Sequence, residues 1–124
     1  TSSEYLVMLA SYNPGDQPIL GKSEFNSLRL GAVLVNVARG ELIDEQALVD
    51  ALDDCKIRAF GADVLVGDSS WGSNELIGSE IVKRSKSDSR IIVTPHMGGY
   101  AREAIDKTRK FMVGQLVQHL ESSN

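Results

Sequence analysis

Ala32-Val-Leu-Val-Asn-Val-Ala-Arg-Gly40 is the stretch whose reading decides the fold. A short, continuous apolar run reads as a β-strand buried on both faces, as strands of a parallel sheet are. Arg39 and a hinge-like Gly40 follow directly. In open α/β sheets, ligands bind outside the carboxyl ends of the strands. Arg39 therefore stands where a ligand would be, although an arginine there could equally cap the strand or pair with a surface acid.

Working outward, three more runs have strand character. Tyr5 to Ala10 is continuous and apolar, Ile57 to Val64 ends in the small-residue stretch Gly61-Ala62-Asp63-Val64, and Arg90 to Thr94 is cut off by Pro95. Helical patterns lie between them. Ser23 and Glu24 mark a short capped helix. Asp44 caps a second helix whose apolar face is Ala47, Leu48, Ala51 and Leu52. A third helix is predicted over Glu75 to Lys83, with Lys83 to Arg90 polar and exposed, and a fourth from about Arg102 to Leu120. The apolar face of that last helix is Ala101, Ala104, Ile105, Thr108, Met112, Leu116 and Leu120. Asn13-Pro-Gly-Asp16 is a loop, as is the segment around Trp71. Alternating strands and helices predict an α/β fold with a parallel sheet of about four strands and flanking helices.

The 124 residues suffice for one domain. A net charge of −4 argues against nucleic acid or an anionic membrane as partner. Cys55 is the only cysteine, so no internal disulfide forms, which fits a reducing cytoplasm. No apolar run approaches the roughly 20 residues of a membrane span. The chain opens without Met and almost at once on a strand, as a cut end would.

Parallel strands bring their carboxyl ends to one edge. Asn13 follows the first strand, Arg39 the second, Asp63 and Asp68 the third and His96 the fourth. An arginine fork suits a carboxylate. A histidine exchanges a proton near neutral pH, and a carboxylate beside it fixes its tautomer. A carboxylate clamp plus a proton donor is what reduction of a 2-keto acid requires, with the hydride coming from a cofactor.

The segments Leu34-Val-Asn-Val-Ala-Arg-Gly-Glu-Leu-Ile-Asp-Glu-Gln-Ala-Leu48, Gly61-Ala-Asp-Val64 and Val93-Thr-Pro-His-Met-Gly-Gly99 resemble the NAD(P)-dependent D-isomer-specific 2-hydroxyacid dehydrogenases, from about Ser3 to Leu120. The resemblance implies a Rossmann-like fold and hydride transfer between NAD, with NADP left open, and a D-2-hydroxy acid. By motif, Arg39, Asp68 and His96 resemble the catalytic residues: Arg39 binding the substrate carboxylate, His96 donating a proton to the carbonyl, Asp68 backing His96. Asn13, Val37, Ala38, Arg39, Asp63, His96, Gly98 and Gly99 fall at cofactor-binding positions, Asp63 at that of the acid that meets the nicotinamide carboxamide. No metal site is assigned.

This sequence departs from the family pattern at several points. Asp68-Ser69 stands where the family has Glu-Pro, Ser11-Tyr12-Asn13 where it has Pro-Leu-Thr, and Cys55 where it has a glycine, so Cys55 is expected in a conformation glycine prefers. The segment from Asp68 to Arg90 is longer than usual. Gly-x-Gly-x-x-Gly is missing, as is the substrate domain. The chain therefore reads as residues 1–124 of the nicotinamide-side half of a cofactor domain, a piece of a homo-oligomeric enzyme acting on a small 2-hydroxy or 2-keto acid. The rival reading is a non-catalytic association module derived from such an enzyme.

Overall fold

A computed structural model describes residues 3–68 and 79–122. Four strands, β1 (Tyr5–Met8), β2 (Ala32–Asn36), β3 (Ile57–Ala62) and β4 (Ile91–Val93), form one sheet in the order β1-β2-β3-β4, and every pairing is parallel. The helices are α1 (Lys22–Ser27), α2 (Glu45–Asp53), α3 (Glu80–Ser85) and α4 (Arg102–Ser122), with one 3-10 turn at Gly40–Leu42. The expected α/β architecture and its common carboxyl edge are both present. Register lines that edge up: Met8 pairs with Asn36, Asn36 with Ala62, and Ala62 with Val93.

The strands are buried on one face rather than two. Along β2, Ala32, Leu34 and Asn36 are buried, while Val33 and Val35 are only partly so. Helices α1, α2 and α3 pack side by side beneath the buried face, and Phe25, Leu48, Leu52, Ile57, Phe60, Ile81 and Ile91 fill the core between. On the other face, the row Val7, Val35, Gly61 and Ile92 runs across all four strands, with Val7 and Ile92 exposed. Among the described residues, the apolar continuity of these strands is thus not matched by helices on both sides.

Local chemistry sets the helix ends. The Asp44 side chain accepts from the Ala47 amide at 3.0 Å and starts α2, as expected. The first helix is capped one step earlier than Ser23 suggests: it begins at Lys22, and the Glu24 carboxylate accepts from the Gly21 amide at 3.0 Å. Helix α3 starts after Ser79, whose hydroxyl accepts from Val82. The part of the expected third helix before residue 79, and the loop around Trp71, lie outside the described residues.

Lys83 to Arg90 is not simply a solvated stretch. Arg84 makes a two-pronged pair with Asp53 at 2.6 and 3.0 Å, and Arg90 pairs with Asp88 while donating to the Leu52 carbonyl at 3.0 Å. Both arginines fasten the carboxyl end of α2. In α4, Ala104 and Ile105 are partly buried, while Phe111, Met112, Val113 and Leu116 are exposed. Of its expected apolar face, Thr108, Met112 and Leu116 are therefore exposed. No helix among the described residues is long and apolar enough to cross a membrane.

Cys55 adopts φ 56°, the left-handed conformation expected from its place after α2. A β-carbon there costs about 1 kcal/mol against glycine. Cys55→Gly should therefore raise stability by up to about 1 kcal/mol, less whatever is lost to a freer unfolded chain. Chemical denaturation of the two chains measures it.

Candidate active site at the carboxyl edge of the sheet

Asn36 ends β2 and is the one buried polar residue among those described. A buried amide must be satisfied. Asn36 Nδ2 donates to the Arg39 carbonyl at 2.8 Å, and Asn36 Oδ1 accepts from the Ala38 amide at 3.1 Å. Both bonds fold the chain tightly over Val37–Arg39. The turn leaves the Arg39 side chain exposed at the sheet edge, where one guanidinium N–H donates to the Ala38 carbonyl at 2.7 Å. Among the described residues, Arg39 forms no ion pair, so its charge faces solvent uncompensated.

Gly40 is buried, and it is not a hinge. A β-carbon built there would lie 2.0 Å from the Leu65 carbonyl carbon and 2.1 Å from the Val66 nitrogen. The segment following β3 therefore crosses directly over Gly40. That crossing carries Asp68 to the site. Asp68 closes a turn in which its Oδ2 accepts from the Leu65 amide at 3.1 Å, and Gly67 takes φ 79°. The Asp68 side chain is only 9% exposed.

Pro95 ends the last strand, and the chain turns back at His96. The His96 amide donates to the Thr94 carbonyl at 3.0 Å, and His96 has φ 49°. Left-handed backbone is uncommon for a residue with a β-carbon and costs about 1–2 kcal/mol. The turn places His96 Nδ1, which is buried, 3.1 Å from Asp68 Oδ2. The two groups face each other off the straight line of a full hydrogen bond. The ring's other nitrogen is left for a second partner.

Asp63 binds the same loop. Its Oδ1 accepts from the Thr94 hydroxyl and from the Met97 amide at 2.9 Å, and its Oδ2 accepts from the Gly98 amide at 2.7 Å. Burial by itself pushes the Asp63 carboxyl up; the bonds from Thr94, Met97 and Gly98 and the nearby imidazole outweigh it and hold the group below the usual carboxylate range. A carboxyl depressed in the fold stabilises the structure fully above its unfolded value and loses that contribution as pH falls through the folded one. Acid should therefore release the 94–98 loop, at a cost on the order of 2 kcal/mol for charge-assisted bonds lost. Amide exchange at Met97 and Gly98, followed down in pH, checks it.

The structure thus brings Asp68 and His96 into contact, with Asp63 holding the histidine's loop. Val37 and Arg39 are exposed and Ala38 half-buried at the end of β2; Gly98 and Gly99 are exposed after His96. Asn13 is occupied elsewhere, in a turn where its amide and side chain both donate to Asp16 Oδ2. Sequence reasoning missed the parts played by Asn36 and Thr94. For Asn36 the signal was legible, because an amide at the end of an otherwise apolar strand demands partners.

A parallel sheet whose loops bring an arginine, a histidine and its carboxylate to one carboxyl edge has the architecture of a Rossmann-like dehydrogenase domain. The profile of the family described as "D-isomer specific 2-hydroxyacid dehydrogenase, NAD binding domain" matches residues 1–98, and the chain belongs to that family. It is 33% identical over 122 residues to 4-methyl-2-oxopentanoate reductase A of Aspergillus oryzae, covering 98% of this chain and 33% of that protein. It is 29% identical to glycerate dehydrogenase of Methylorubrum extorquens, covering 98% of this chain and 35% of that one. The crystal structure of a D-isomer specific 2-hydroxyacid dehydrogenase from Lactobacillus delbrueckii, in its NAD complexed form, superposes with a TM-score of 0.85 at 25% identity, over 97% of this chain and 38% of that one. The chain spans about a third of the length of the curated relatives it matches.

Proposed function

We propose that these residues form the nicotinamide side of an NAD-dependent oxidoreductase that interconverts a D-2-hydroxy acid and its 2-keto acid. The observation that carries this reading is the Asp68–His96 contact of 3.1 Å at the edge where Arg39 holds an uncompensated charge. Arg39 would grip the substrate carboxylate with its planar fork. His96, oriented through Nδ1 by Asp68, would give the proton on its Nε2 to the keto oxygen as the carbonyl carbon is reduced, and would take it back in the oxidative direction. NAD, when bound, supplies or accepts the hydride.

The residues fit the nicotinamide end of that cofactor. A carboxylate has about four acceptor sites. Three on Asp63 are filled from the loop, which leaves one on Oδ2 for a carboxamide N–H. Space is open beside Gly99, where an added β-carbon would meet nothing within 4 Å. Val37 and Ala38 would line the ring's apolar face. The phosphate cradle belongs to the glycine-rich half, whose motif is not within these 124 residues.

The alternative of a non-catalytic module treats Asp68 as a decayed site residue. A carboxylate one methylene shorter than glutamate nonetheless reaches His96, which supports the catalytic reading. Association of copies also belongs to the proposal: β1 is an edge strand, and Tyr5 and Val7 on it are exposed. A cytoplasmic setting agrees with the lone Cys55.

The test is NADH oxidation by the full-length protein with pyruvate, glyoxylate and a branched 2-keto acid, followed by chiral analysis of the product. Formation of the D-hydroxy acid from at least one of them is expected. No turnover with any, or an L-product, would overturn the assignment.

A further inference from the structure

His96 sits in a conformation it would not hold alone. Its backbone is left-handed, and the residues that follow it pack little against it: Met97 is 53% exposed, and Gly98 has no side chain. The restraint is therefore polar, and three of its bonds end on one group. Asp63 accepts from Thr94, two residues before the histidine, and from Met97 and Gly98, the two residues after it. The three donors converge on one carboxylate from both sides of His96.

We propose that Asp63 is a positioning residue for His96: by gripping the loop on both sides of the histidine, it fixes the left-handed turn that aims Nδ1 at Asp68. The role is separate from any contact with a cofactor and uses different acceptor sites on the carboxylate. It deepens the dehydrogenase reading and takes its purpose from it, but its geometry stands without it. Once His96 gives up its Nε2 proton, the imidazole is left with its hydrogen on Nδ1. That tautomer is favoured only while Nδ1 faces an acceptor, and Asp68 Oδ2, 3.1 Å away, is the carboxylate oxygen it faces. Asp63 thus selects the histidine's tautomer through the backbone.

The experiment is ring-nitrogen NMR of the full chain labelled in histidine, in a His119→Gln background so that one imidazole is observed. Neutral His96 should carry its hydrogen on Nδ1. Asp68→Ala should move it to Nε2 with the Met97 and Gly98 amides still protected. Asp63→Ala should move it to Nε2 as well, and should speed exchange of those two amides at least tenfold. Thr94→Val, which removes one of the three donors, should shift the tautomer part of the way, and Thr94→Ser should leave it unchanged. An Nε2–H tautomer in the parent chain, or an Nδ1–H tautomer that survives Asp63→Ala, overturns the proposal. If Asp63→Ala does not fold, Thr94→Val decides, and an unchanged tautomer there counts as refutation. None of these readouts needs NADH or a keto acid, so the dehydrogenase reading and this one fail separately.

Discussion

Gly40→Ala is expected to cost at least about 3 kcal/mol, the upper part of the range for overpacking a tight site. The added methyl would lie 2.0–2.5 Å from the Leu65 and Val66 backbone. Atoms at that distance cannot coexist, and the obstacle is main chain rather than the end of a flexible side chain. One of the two segments must therefore move. If the segment after β3 moves, it carries Asp68 away from His96. If the Arg39 turn moves, Asn36 loses the backbone groups that satisfy it, and a buried amide is stranded. Either way the melting temperature should fall by about 10 °C. Differential scanning calorimetry measures that, and the His96 ring signals reveal which segment gave way. A variant melting like the parent would mean that the two chain segments are not in contact.

The second large effect is chemical. In the full-length protein, His96→Ala should lower the rate of keto-acid reduction by about 10²–10⁴-fold, the usual worth of a placed proton donor. Melting should change little, because the ring is partly exposed and removing it leaves the Asp63 bonds to the loop in place. Arg39→Lys should act differently: a point charge cannot replace a two-pronged grip on a carboxylate. The KM for the keto acid should rise while the KM for NADH stays near that of the parent. Asp68→Asn keeps the shape and one acceptor, so its loss should be milder than that of His96→Ala. Steady-state kinetics with NADH and one keto acid separates the three. Equal activity of His96→Ala and parent would remove His96 from the chemistry.

The sheet was readable from the sequence because apolar continuity and the turn residues between runs are local signals. The shared edge of adjacent parallel strands followed from them, as did the cap at Asp44, while the left-handed Cys55 was expected from the family's glycine at that position. Burial on the second face was not readable. Val7 and Ile92 look like core residues in sequence, and nothing local to them reveals that no helix among the described residues covers them. The face of α4 misled for the same reason, since periodicity reports a stripe but not its partner. At the site, the chain positions of Arg39, Asp68 and His96 were legible from motif. The grip of Asp63 on both flanks of His96 was not, because it spans more than thirty positions and depends on main-chain amides that a sequence does not display. Arg84 reaching Asp53 across a similar span was hidden likewise.

The described residues on either side of 69–78 are each secured by bonds of their own. On one side, Asp68 is locked into its own turn by the Leu65 amide and lies against His96. On the other, the Glu45 carboxylate of α2 accepts from the Ser79 hydroxyl at 3.0 Å and the Glu80 amide at 2.8 Å. The two ends are thus held by separate carboxylates, so a change that frees Ser79 from Glu45 leaves in place the turn that presents Asp68 to His96.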